Sequence, residues 1–128
     1  MNINRVTDNL AYGCYIQPQH ALELFRQGFT DVLNICVPYP DPKLYSQHGL
    51  KIHQRQVIPD ITIRSEDIAY CMKLMKEVMK NPTSRLYVHC QVGASRSPTI
   101  VWLYLAETIG KIEATKLVRP DWHLVPAG

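Results

Sequence analysis

The residues best placed to do chemistry lie in RLYVHCQVGASRSPTIVWLYLAE, Arg85 to Glu107. An apolar run of strand type stops at His89-Cys90, five residues intervene, and Arg96-Ser97 open an apolar stretch of helical type. Gly93, Ala94 and Ser95 are small, so the connecting loop can curl tightly. Backbone N–H groups of such a loop converge at the N-terminus of the following helix. With the helix dipole they form an anion site, and phosphate is the usual occupant. Arg96 adds a planar fork that matches two phosphate oxygens. Cys90 sits at the mouth of this positive region, which favours the thiolate, the nucleophilic form of the side chain. The expected chemistry is attack of Cys90 on a bound phosphoryl group. The Ser97 hydroxyl can donate to the sulfur and steady it when it departs.

Expulsion of an alkoxide or phenoxide from a phosphate monoester also needs a proton donor. The 85–107 stretch offers none. Asp60, in VIPDITI, is the chosen general acid: it follows a strand and precedes the helix that leads back to the Cys90 strand. Asp67 is a rival, although it reads as a first-turn helix charge, and Asp41 in a Pro-rich loop is a weaker one.

Several elements must hold these residues in place. PQHALELFRQGF reads as a short helix with Pro18 in its first turn, Ala21, Leu22 and Phe25 on one face, and Gly28 as its cap. TDVLNICV is a buried strand carrying Val32, Leu33, Ile35 and Val37. PYPDP is a loop, and LKIHQRQVI a weaker strand ended by Pro59-Asp60. Ser65 is expected to cap a helix with Glu66 and Asp67 in its first turn. Ile68, Cys71, Met72, Met75 and Met79 line one face of that helix, which makes the methionine stripe core. Arg85 to Cys90 is a strand. The helix from Ser97 to Gly110 is apolar nearly all round, so it should be the central buried helix, with Trp102 in the core. KIEATKLV, from Lys111, begins a further helix that Pro120 ends. Strands alternating with helices give an α/β fold with a central, mostly parallel sheet flanked by helices.

The bulk numbers agree with one domain over residues 1–128. The chain is 46 % hydrophobic and 20 % charged, a globular composition. Its net charge of +3 suits an anionic substrate but is too small to indicate nucleic acid without a clustered patch. Cys14, Cys36, Cys71 and Cys90 form no Cys-x-x-Cys pair and match no zinc spacing. With no basic-then-apolar leader at MNINRVTDNL and no membrane-length apolar run, the expectation is a monomeric protein of a reducing, cytoplasmic (or nuclear, by diffusion) compartment. Cys14, Cys36 and Cys71 are then small buried hydrophobes, unless one serves as a resolving thiol for Cys90. Trp122 and Tyr39 are lesser candidates for a substrate surface.

His89-Cys90-x-x-Gly93-x-x-Arg96-Ser97 resembles the signature of the cysteine-dependent protein tyrosine phosphatase superfamily. The wider chain resembles its small, atypical dual-specificity branch. NRVTDNLAYG is similar to the family's opening strands. GFTDVLNICV is similar to the strand in which an asparagine, here Asn34, precedes the early loop. VIPD stands where the family's acid loop carries its aspartate, thirty residues before the cysteine. Ile58-Pro59-Asp60 lacks the tryptophan that other tyrosine phosphatases place before the proline, which points to the smaller branch. The resemblance implies a cysteinyl-phosphate intermediate and neither metal nor cofactor. It makes Cys90 the nucleophile and Arg96 the binder of phosphate and of the transition state. The backbone of Gln91, Val92, Gly93, Ala94 and Ser95 becomes the phosphate cradle. Asp60 is acid and then base, Ser97 assists the departing thiolate, and His89 supports the loop or is a satisfied core histidine.

None of the five residues between Cys90 and Arg96 is basic. A site for polyphosphorylated inositol lipids or RNA 5′-triphosphate would gain from Lys or Arg there. The expected substrate is therefore a phosphorylated protein, carrying phosphotyrosine and phosphoserine or phosphothreonine. Lys43, Arg55 and Arg64 keep the alternative of a non-protein phosphate open. A phospho-binding pseudophosphatase would keep the cradle and lose the chemistry, and a rhodanese-like sulfur transferase would not need Asp60, His89 or Ser97.

Overall fold

The computed structural model describes residues 3–13, 16–35, 41–55, 63–90 and 96–118. Among the described residues five strands form one sheet in the order β1-β2-β5-β3-β4. They are β1 (Ile3–Thr7), β2 (Leu10–Gly13), β3 (Asp31–Asn34), β4 (Lys51–Gln54) and β5 (Leu86–His89). Among these five strands only β1 runs antiparallel to its neighbour. β2, β5, β3 and β4 are parallel, so their C-terminal ends share one edge. Along that edge Gly13, His89, Asn34 and Gln54 lie in a single row.

Side-chain alternation along the strands separates two cores, as a period of two requires. Leu10, Tyr12, Leu33, Leu86 and Val88 face one side, where α3 (Ser65–Met79), α4 (Arg96–Ile109) and α5 (Lys111–Leu117) pack. Ala11, Val32 and Tyr87 face the other, against α1 (Ala21–Arg26) and α2 (Lys43–Ser46). A strand buried on both faces reads as a continuous apolar run, which is why Leu86 to Val88 shows no polar alternation.

Sequence expectation and structure part at four places. Ser65 is the first helical residue of α3 rather than its cap, and extended Arg64 precedes it with no side-chain cap bond. In α1 the buried residues are Ala21 and Leu24, while Leu22 and Phe25 are exposed. α1 is six residues long and is entered through a 3₁₀ turn, Pro18–His20. α4 is buried along Ser97 to Val101 and at Leu105, but Ile109 is exposed. Trp102 is half-buried, packed against the core while its indole N–H donates to Thr115 Oγ1 across the α4–α5 junction at 3.0 Å. Finally, α2 is a helical turn that the sequence did not announce, and it brings Tyr45 into full burial, donating its hydroxyl to the Ile16 carbonyl.

Other expectations hold. Gly28 takes φ +93° after α1, and Gly110 takes φ +92° between α4 and α5, both in the region that favours glycine. Met72 and Met75 are buried and Met79 packs against them. No helix among the described residues is long and apolar enough to cross a membrane.

Candidate active site at the C-terminal edge of the sheet

Strand β5 lies in the middle of the sheet, and Cys90 follows it directly. The C-terminal edge of a parallel sheet is where open α/β folds place ligands. Arg96 begins α4, half-buried, and Ser97 is fully buried in its first turn. Cys90 is buried too, with 3 % of its surface exposed. Its Sγ lies 3.3 Å from Ser97 Oγ. That oxygen also lies 3.4 Å from the carbonyl of Gly13, the last residue of the neighbouring strand β2. Ser97 thus bridges the end of β5 and the end of β2. A single hydroxyl proton has two acceptors within reach. It can point to the Gly13 carbonyl while Cys90 is a thiol donating to Oγ, or turn to the sulfur when Cys90 is a thiolate.

His89 is buried beneath Cys90, its ring 5.9 Å from that of Tyr87. Burial pushes its pKa down to about 4, against the opposing effect of a hydrogen bond with the Cys90 backbone. The imidazole is therefore neutral at physiological pH. It is both a buried core histidine and a neighbour bonded to the Cys90 backbone. Asn34, in the same row on β3, is fully buried as well.

The proton-donor question is sharpened by the two rival aspartates. Asp67, read from the sequence as a first-turn helix charge, is 5 % exposed. Its Oδ1 accepts from Arg55 Nε at 3.0 Å. That contact turns the carboxylate toward Arg55. Asp41 is exposed and its Oδ1 accepts the backbone N–H of Lys43 ahead of α2. Asp60 and the loop residues Gln91, Val92, Gly93, Ala94 and Ser95 lie outside the described residues, as do Cys14, Cys36, Tyr39 and Trp122. Cys71 is buried in α3 and its thiol is pushed up to about 12, chiefly by burial and further by the Asp67 charge, with Arg55 opposing. Its burial fits the reading of a small hydrophobe.

Three features escaped the sequence reading: the Arg55–Asp67 pair, the Gly13 carbonyl beside Ser97, and a second polar pair between Asp31, at the start of β3, and His53 of β4. There His53 Nε2 lies 2.9 Å from Asp31 Oδ2. Burial alone would raise the Asp31 pKa, but hydrogen bonds with His53 and Thr30 bring it below the usual carboxylate value. No signal of spacing marks such pairs, because their members are brought together by strand order. Among the described residues no cluster of His, Cys, Asp or Glu is arranged to hold a metal ion.

The chain is similar to Dual specificity protein phosphatase 13B of Mus musculus, with 25 % identity over 136 residues that cover 98 % of this chain and 67 % of the mouse protein. Among solved structures, PTPMT1 in complex with PI(5)P aligns with a TM-score of 0.81 at 17 % identity, over 98 % of this chain and 88 % of that one. Tk-PTP in its active form aligns with a TM-score of 0.77 at 16 % identity, over 98 % and 86 %. DUSP15 aligns at 0.75 and 20 %, over 93 % and 75 %. No protein-family model matches the chain.

Proposed function

We propose that the chain is a small, dual-specificity-phosphatase-like member of the protein tyrosine phosphatase superfamily, and that it hydrolyses phosphate monoesters through a cysteinyl-phosphate intermediate. The observation that carries the proposal is the contact between Cys90 Sγ and Ser97 Oγ at the end of the central strand, with Arg96 opening the next helix. Cys90 attacks phosphorus, and the P–O bond to the leaving group breaks as Asp60 delivers its proton. Water, deprotonated by Asp60, then attacks the phosphocysteine. The P–S bond breaks, inorganic phosphate forms, and Ser97 donates to the departing thiolate. Arg96 and the 91–95 backbone hold the phosphoryl oxygens in both steps. The water-poor setting of a buried sulfur strengthens each of these hydrogen bonds.

The favoured substrate is a phosphorylated protein side chain, phosphotyrosine together with phosphoserine or phosphothreonine. The absence of Lys and Arg between Cys90 and Arg96 supports a single phosphate. A lipid phosphate is the second reading, and the similarity to PTPMT1, solved with PI(5)P, is what favours it. Parallel kinetics on a phosphotyrosine peptide, a phosphothreonine peptide, a phosphoinositide and a triphosphorylated RNA decide between them. Fast peptide turnover is expected. Near-zero peptide turnover beside rapid lipid or RNA turnover would falsify the protein-substrate reading.

A further inference from the structure

Arg55 follows the last residue of β4, and Asp67 lies in the first turn of α3. Between them runs the segment that contains Asp60. Both flanks are anchored independently of it. The Arg55 backbone N–H donates to the Asn34 carbonyl at 2.9 Å, which holds it to β3. On the other flank Ile63 is buried in the core with 1 % of its surface exposed. The Arg55 guanidinium then spans the gap. Its Nε meets the buried Asp67 carboxylate, and its plane lies over the Tyr70 ring with the central carbon 4.7 Å from the ring centre. A buried carboxylate demands a partner, and a guanidinium held by both a carboxylate and an aromatic face has little freedom to leave.

We propose that Arg55 and Asp67 are positioning residues for the general acid: their pair fixes the separation of β4 and α3, and hence the two ends from which Asp60 is presented to the leaving group. The inference rests on Asp60 being that acid. General-acid efficiency depends on geometry within hydrogen-bond reach of the leaving oxygen, so a loosened frame weakens proton transfer before it weakens phosphate binding. Arg55 also follows β4, two strands from β5, and its Nε is turned to Asp67 at 3.0 Å.

The test is a series of aryl phosphates whose leaving groups rise in pKa, run on wild type, Asp67→Asn, Arg55→Gln, the double variant and Asp60→Asn. Asp67→Asn keeps side-chain volume and leaves only a half-exposed guanidinium unpaired, so it is the variant expected to fold without difficulty. With good leaving groups, kcat of the pair variants should stay within about threefold of wild type. With poor ones it should fall roughly 10–100-fold, a part of the roughly 10²–10⁴-fold that a general acid supplies. The double variant should lose no more than the worse single one. A lowered melting temperature with a loss equal for every leaving group overturns the inference and leaves the pair merely structural, provided Asp60→Asn shows the leaving-group dependence. If Asp60→Asn shows none, the acid assignment and this inference fall together.

Discussion

Cys90 Sγ and Ser97 Oγ lie 3.3 Å apart, and the same oxygen lies 3.4 Å from the Gly13 carbonyl. The serine therefore belongs to two strand ends at once and can serve the sulfur without moving its backbone. Removing it should affect the step in which sulfur leaves. A hydrogen bond to a charged group contributes about 1.5–3 kcal/mol, so Ser97→Ala should lower kcat roughly 10–100-fold. Hydrolysis of the phosphocysteine becomes limiting, so stopped-flow assays should show a burst of aryl alcohol equal to the enzyme concentration. A uniform loss with no burst contradicts the assigned role.

Cys90→Ser should abolish turnover, and Arg96→Lys should come close to it, because a point charge cannot replace a bidentate fork. Vanadate or phosphate titration separates the two. The serine variant should still bind the anion, and the lysine variant should bind it weakly.

Asp60→Asn should reduce kcat on phenyl phosphate by about 10²–10⁴-fold. Asp67→Asn should do far less, since the Asp67 carboxylate is held by Arg55 rather than presented to substrate. The opposite ranking would identify Asp67 as the acid.

His89 gives a pH dependence of stability with a definite sign. Burial holds its folded pKa near 4, against 6.5 for the free side chain. Between those values the unfolded chain binds a proton that the folded protein excludes, so stability rises with pH there. The contribution is complete above pH 6.5, falls as pH falls, and is gone by about pH 4. The interval corresponds to about 3 kcal/mol. Urea unfolding at pH 7 and at pH 4.5 measures it, and a His89→Gln variant should show a distinctly flatter profile.

Cys71 should resist alkylation. Its thiol is pushed up to about 12 in a buried helix face, so iodoacetamide at pH 8 should leave it unmodified in the folded protein and label it in urea. Peptide mass spectrometry reads the difference. Labelling of native Cys71 at the rate of a free thiol would contradict its burial.

The local pattern around the candidate site was legible in sequence. An apolar run ended by His89-Cys90 read as a strand, and Arg96-Ser97 before an apolar stretch read as a helix N-terminus, because side-chain periodicity is a local property. The methionine stripe and the caps at Gly28 and Gly110 were legible for the same reason. Asp67 was not. A first-turn acid looks identical whether it faces water or a guanidinium, and what decided was that β4 ends beside α3 and brings Arg55 there. Trp102 likewise read as core, yet it is half-buried and its indole N–H is bonded to Thr115.

The amino-acid sequence by itself thus determined the strand that ends at His89-Cys90, the helix that opens at Arg96, and an α/β sheet. Only the tertiary structure decided that Ser97 reaches the Gly13 carbonyl, that His89 is neutral, and that Arg55 closes on Asp67. Each of those contacts joins groups whose meeting depends on the order β1-β2-β5-β3-β4 and on the depth of burial. Periodicity along the chain encodes which face a residue turns to the core, but not which distant residue waits there.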